Sequence, residues 1–82
     1  MHLNLIIKNR SELLFEGKVK VISSYNDKGK FDILPQHANF ISLISQFIIY
    51  TTLDDKENNI AITNGIIKVN ENKVRIFLGV GE

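Results

Sequence analysis

The chain has no cysteine among its 82 residues. That excludes disulfides, thiolate chemistry and any cysteine-based zinc site, and it suits a reducing compartment. Charge of one sign is also scarce. Ten Lys and Arg against nine Asp and Glu leave a formal net charge of +1, far from the basic surplus of a nucleic-acid binder. Glycine is thin and scattered, with five in all, so no glycine-rich phosphate loop exists. No stretch approaches the roughly 20 consecutive apolar residues of a membrane-spanning helix. The opening MHLNLIIKNR is too short and wrongly flanked for a secretory signal. Proline occurs once, as Pro35, and the residues that follow it turn out to be the informative ones.

What remains is 44% apolar residues and 23% charged ones, enough for one core and an ordinary soluble surface. The length fits one domain, residues 1–82, with no repeat and no linker. Apolar and polar residues alternate at the period of strands. Leu3, Leu5 and Ile7 share one face, Asn4 and Lys8 the other; Val19 and Val21 alternate with Lys18 and Lys20. Gly17 predicts a bend or bulge. Asn26, Asp27 and Gly29 carry turn chemistry, and residues 30–34 read as a short strand that ends before Pro35.

Residues 40–52 are apolar and β-branched or aromatic. Phe40, Leu43, Ile44 and Phe47 have helical spacing, but the β-rich IIYTTL favours two short strands broken near Ser45 and Gln46. LDDKENN is a polar turn. Residues 59–70 read as a hairpin turning at Asn64-Gly65, the pair best suited to positive φ, and ENK as a turn before a closing strand VRIFL. Many short strands with frequent turns predict an all-β sandwich or barrel.

No catalytic constellation emerges. His37 has Asp32, Ser42 and Ser45 near it in sequence, but the spacing matches no nucleophile motif. One histidine without partners reads as a loop residue that packs or hydrogen-bonds at a surface. His2, the other histidine, gives it no metal-ligand pattern. Asp54, Asp55 and Glu57 lack the alternate spacing and glycine bend of a calcium loop, and read as a solvated turn. Lys18, Lys20, Lys28 and Lys30 lie around Tyr25 and Phe31 without the interleaving of an RNA-binding sheet. The remaining signal is physical. If residues 40–44 alternate, half of that apolar run faces away from the core and requires a partner.

The motif Gly29-x-Phe31-x-Ile33-Leu34-Pro35-x-His37-Ala38 resembles the signature G-x-[FL]-G-[IV]-[LY]-P-G-H-A-P of the epsilon subunit of the F-type ATP synthase. Leu14-Phe15-Glu16-Gly17 is similar to the family's L/M-F-x-G before a valine-rich strand. Residues 61–69 resemble its S-G-G-x-x-E-V hairpin, and residues 72–76 its N-x-V-T-V strand. The blocks cover essentially the whole chain, in order. Asp32, Gln36 and Asn39 stand where Gly, Gly and Pro are usual, Asn64 where Gly is usual, and Gln46-Phe47 where many members have Pro-Gly.

The resemblance implies a flattened β-sandwich of about ten strands. It implies a non-catalytic central-stalk subunit that binds the gamma subunit and the c-ring and helps couple ion transport to ATP synthesis. No cofactor, metal, nucleic acid, small-molecule substrate or direct membrane span is implied. The expected location is peripheral, at the cytoplasmic face of a bacterial inner membrane or the equivalent organellar face. The gamma-facing residues carried over are Asn9, His37, Ala38 and Ser42, with Phe40 and Ile41 as adjacent apolar candidates. The c-ring-facing loop is Lys28, Gly29, Lys30 and Phe31. Lys30 replaces an acidic residue of some members, so the charge of that contact is expected to be swapped or lost. The family's C-terminal helical hairpin is expected to be absent, and neither it nor its nucleotide site is carried over. The other readings are a free-standing β-sandwich interaction module and, last, a small hydrolase.

Overall fold

Alternation becomes strands wherever the sequence shows it. In the computed structural model, which describes residues 1–79, β1 spans Leu3–Lys8 and β2 Leu13–Asn26. A short β3, Gly29–Ile33, precedes β4 (Phe40–Thr52), β5 (Glu57–Asn70) and β6 (Lys73–Leu78). Residues 80–82, the end of the expected domain, lie outside the described residues. Among the described residues there are six strands rather than the expected ten, because three of them are long and bent. The order is β1-β6-β5-β4-β2-β3, and β1 also pairs with β2. Five strands therefore close into a ring, while β3 hangs on β2 alone. The pairing of β1 with β6 is parallel; the others are antiparallel.

The bends sit at register shifts. In β2 the shift lies between Val19 and Val21, where the strand leaves β1 and takes up β4 and β3. In β4 it lies between Ile44 and Gln46, with Gln46 at φ +75°. Each bulge adds a residue to one strand and sharpens its twist. The long strands thus give one arm to a first layer, with β1 and β6, and one to a second, with β3.

Two expectations are corrected here. Asn64-Gly65 is not a hairpin turn: β5 runs through it unbroken, and neither residue has the positive φ such a turn requires. Gly65 is instead a point of close approach, opposite Ile44 and Leu78. A Cβ there would lie 2.8 Å from the Phe77 carbonyl oxygen. Gly17 is neither bend nor bulge; it pairs in register with Leu5, and the Phe15 ring lies over it. The expected break near Ser45 and Gln46 is a register shift inside one strand, where the single Ser45 stands opposite two residues of β5, Thr63 and Asn64.

The inward residues of every strand share one core: Leu3, Leu5 and Ile7 of β1, Val19 and Ile22 of β2, Ile33 of β3, and their counterparts on β4, β5 and β6. Ser24 is fully buried among them and donates from Oγ to the Phe47 carbonyl at 2.8 Å. The turns follow their residues. Asp27-Lys28 joins β2 to β3, with Gly29 at φ +110°. Glu71-Asn72 joins β5 to β6, both at positive φ, as a two-residue hairpin loop requires.

Candidate interaction surface

Pro35 ends the extended run, and its fixed φ suits the second position of a turn. The His37 amide donates to the Leu34 carbonyl at 3.1 Å, and Gln36, between them, has φ +68°. A β-turn with positive φ at its third residue is type II. The Gln36 amide also donates to Asn72 Oδ1 at 2.6 Å, which fastens this loop to the β5–β6 turn. His37 is half-buried, with Nδ1 2.8 Å from the Ala38 carbonyl oxygen. Its ring meets Phe40 edge-on at 5.7 Å. Ala38 is exposed. The histidine is thus held by its own loop and by one aromatic ring.

The first arm of β4 divides its residues sharply. Phe40 packs against the core, and Ile44 is in it. Ile41 and Leu43 point outward, 66% and 71% exposed. Ser42 is half-buried: its Oγ donates to the Leu43 carbonyl and accepts from Asn26 Nδ2 at 3.2 Å. Of the expected apolar anchors, Ile41 is therefore available to a partner and Phe40 largely is not. Leu43, which the sequence-based assignment of surface residues omits, is more exposed than either. Period-two alternation starting from Phe40 marks it.

The structure does not bring Asn9 to this group. Asn9 follows β1, and its Oδ1 accepts from the amides of Ser11 and Glu12 at 2.8 and 2.9 Å. It lies beside Leu78 and Gly79, whereas His37 lies beside the turn that begins β6. At about 3.3 Å per residue, the length of β6 separates them by about 20 Å. Lys28, Gly29 and Lys30 form the tip of the β2–β3 hairpin, and Asn26 Oδ1 accepts from the Lys28 amide at 2.9 Å. Phe31 turns inward and packs on Phe40, so the hairpin and the β4 arm share one aromatic contact.

The polar suspects resolve differently. Lys20 pairs with Asp55 at 2.5 Å, and Lys56 with Asp54 at 3.8 Å. Asp32 accepts from Ser23 Oγ across the β2–β3 pair at 2.5 Å. Among the described residues no group of three or more His, Asp or Glu side chains converges as a metal would require.

Residues 2–80 match the family described as ATP synthase, Delta/Epsilon chain, beta-sandwich domain. The chain belongs to this family. It is 36% identical over 72 residues to the ATP synthase epsilon chain of Nitratiruptor, an alignment covering 87% of this chain and 56% of that one. It is 35% identical over 65 residues to an epsilon chain of Clostridium botulinum, covering 78% of this chain and 48% of the other. The chain thus spans about half the length of these members of the family. Among solved structures, a chain of the Euglena gracilis mitochondrial ATP synthase superposes with a TM-score of 0.88 at 18% identity, covering 94% of this chain and 50% of that one. One from the Tetrahymena thermophila ATP synthase central stalk and c-ring gives 0.76 at 10% identity, covering 95% and 63%. At these identities the two show a shared fold.

Proposed function

We propose that this chain is the β-sandwich of a non-catalytic rotor subunit in an F-type ATP synthase. It binds the gamma subunit through the first arm of β4 and the loop before it. It meets the c-ring through the Lys28–Phe31 stretch at the hairpin tip, where Lys30 offers a positive charge. It works at the membrane periphery, on the cytoplasmic face in a bacterium, and needs no cofactor. The observation that carries the reading is the outward pair Ile41 and Leu43, in a chain whose family members are named epsilon chains. Two large side chains left in water on an edge arm suit the apolar centre of a protein interface.

The test is co-elution with the cognate gamma subunit on gel filtration, with wild type and Ile41→Ser/Leu43→Ser. A one-to-one complex that the double variant weakens about thirtyfold or more, as loss of central anchors does, while circular dichroism stays unchanged, supports the reading. No complex between folded partners overturns it and leaves a free-standing interaction module.

A further inference from the structure

The outward face of the first layer has a charge pattern that the fold alone does not explain. Lys68 of β5 lies directly across from Arg75 of β6, and both are exposed. Directly opposed side chains have Cβ atoms about 4.5–5.5 Å apart, and like charges there are unfavourable. Lys73 stands two residues before Arg75 on the same face. Its neighbours are Asn70 on β5 and Asn4 on β1, and Asn4 is in turn paired with Lys18 of β2. A shallow depression of about 260 Å³ is lined by Lys68, Asn70, Lys73 and Arg75. Among the described residues the one carboxylate at an outward register position of this layer is Glu16, across Ile6 from Arg75; it lines a second depression with Lys73 and Arg75, and Lys68 has no such neighbour. Both ion pairs among the described residues that fasten lysines, Lys20–Asp55 and Lys56–Asp54, lie elsewhere.

The row is continuous with the proposed gamma-facing arm. Ile41 is the cross-strand neighbour of Lys68 on its other side, so Ile41, Lys68 and Arg75 stand side by side across β4, β5 and β6. A partner that covers Ile41 also comes over Lys68. Shielding two adjacent cations from water without counter-charges is costly. We propose that the gamma surface covering Ile41 and Leu43 carries carboxylates against Lys68, Arg75 and Lys73, so that this row selects an acidic face of its partner. This rests on the stalk reading above. A protein is favoured over a nucleic acid because Ile6, Ile41, Ile66 and Phe77 interleave with the cations on this face, a mixture typical of protein interfaces.

The experiment measures gamma affinity for wild type, Lys68→Glu, Lys68→Glu/Arg75→Glu and Ile41→Ser/Leu43→Ser, with a thermal melt of each. Wild-type affinity should fall about tenfold as salt rises from about 0.05 to about 0.3 M, as screening shortens. The double reversal should cost about tenfold or more at low salt, with most of the salt dependence gone. Lys68→Glu alone is the sharpest arm. It creates a Glu–Arg cross-strand pair, so the isolated domain should melt higher while gamma binds more weakly. A merely structural role cannot move the two readouts in opposite directions. If the β4 double variant loses gamma while both reversals keep it at every salt, the stalk reading stands and this inference is overturned. If wild type binds no gamma, both fall. If the reversals spare gamma but abolish binding to poly-uridine, the row serves a polyanion and the inference is again overturned.

Discussion

Phe31 of β3 and Phe40 of β4 meet edge-on, with ring centroids 5.4 Å apart and planes at 61°. β3 is bonded to β2 alone, so this contact, with Ile33 in the core, holds the hanging strand to the ring. It also links the candidate c-ring tip to the candidate gamma-facing arm. Phe40→Ala should therefore cost the isolated domain about 2 kcal/mol or more in urea unfolding. Combined with Phe31→Ala, the losses should fall short of additive by about 0.5–1.5 kcal/mol, the worth of an aromatic pair. Full additivity would show that the two rings do not act together. Because Phe40→Ala disturbs packing, Ile41 and Leu43 are the cleaner probes of partner binding.

Gly65 carries a backbone constraint of a different kind. Its missing Cβ would sit 2.8 Å from the Phe77 carbonyl oxygen and 3.0 Å from Leu78 Cδ2. Gly65→Ala forces β5 and β6 apart where β4 bends opposite them, and should lose about 1–3 kcal/mol. Chemical denaturation reads this directly, and an unchanged midpoint would refute the close approach.

Gln36 occupies a turn position with φ +68°, where a non-glycine residue is strained by about 1–3 kcal/mol. Its amide bond to Asn72 survives any side-chain change. Gln36→Gly should thus gain about 1 kcal/mol after the entropy cost of glycine, and raise Tm by about 4–8 °C in a domain of this size. A lower Tm would mean that the glutamine side chain holds the loop.

Burial raises the Tyr50 hydroxyl above its usual pKa of 10.0. A group whose folded pKa exceeds its unfolded one contributes stability that is complete below the unfolded value. That contribution is lost as pH rises from about 10 through the folded value. Unfolding free energy should fall with pH above about 10 in wild type and fall less in Tyr50→Phe. Parallel profiles would place the loss elsewhere.

Much of the fold is legible in residue order, because period-two burial is a local property. Leu3, Leu5 and Ile7 reveal β1, Asn26 to Gly29 the first hairpin, and Pro35 the end of β3. The strand count is not legible. A bulge at Ile44–Gln46 and a turn there present the same local pattern, and only pairing with β5 decides between them. Asn64-Gly65 misleads for the same reason: a glycine required by close packing has the composition of a glycine required by positive φ. In the candidate site, His37, Ala38 and Ile41 are found from motif and alternation. The Lys68–Arg75–Lys73 row is not, since its members come together only through the β5–β6 register, and the lysines look dispersed along the chain. Asn9 is placed by the fold at the other end of β6 from His37, a distance that the sequence alone does not show.

The place of β6 in the ring governs when the molecule can form. β6 lies between β5 and β1, its neighbour from the far end of the chain. During synthesis β1 has no partner on that side until β6 leaves the ribosome. The ring cannot close before β6 is available, and that closure joins strands as far apart in sequence as Leu3–Lys8 and Lys73–Leu78. Assembly with any partner that reads the outer face therefore follows the emergence of β6, since Lys68, Lys73 and Arg75 all lie on that strand and the one before it.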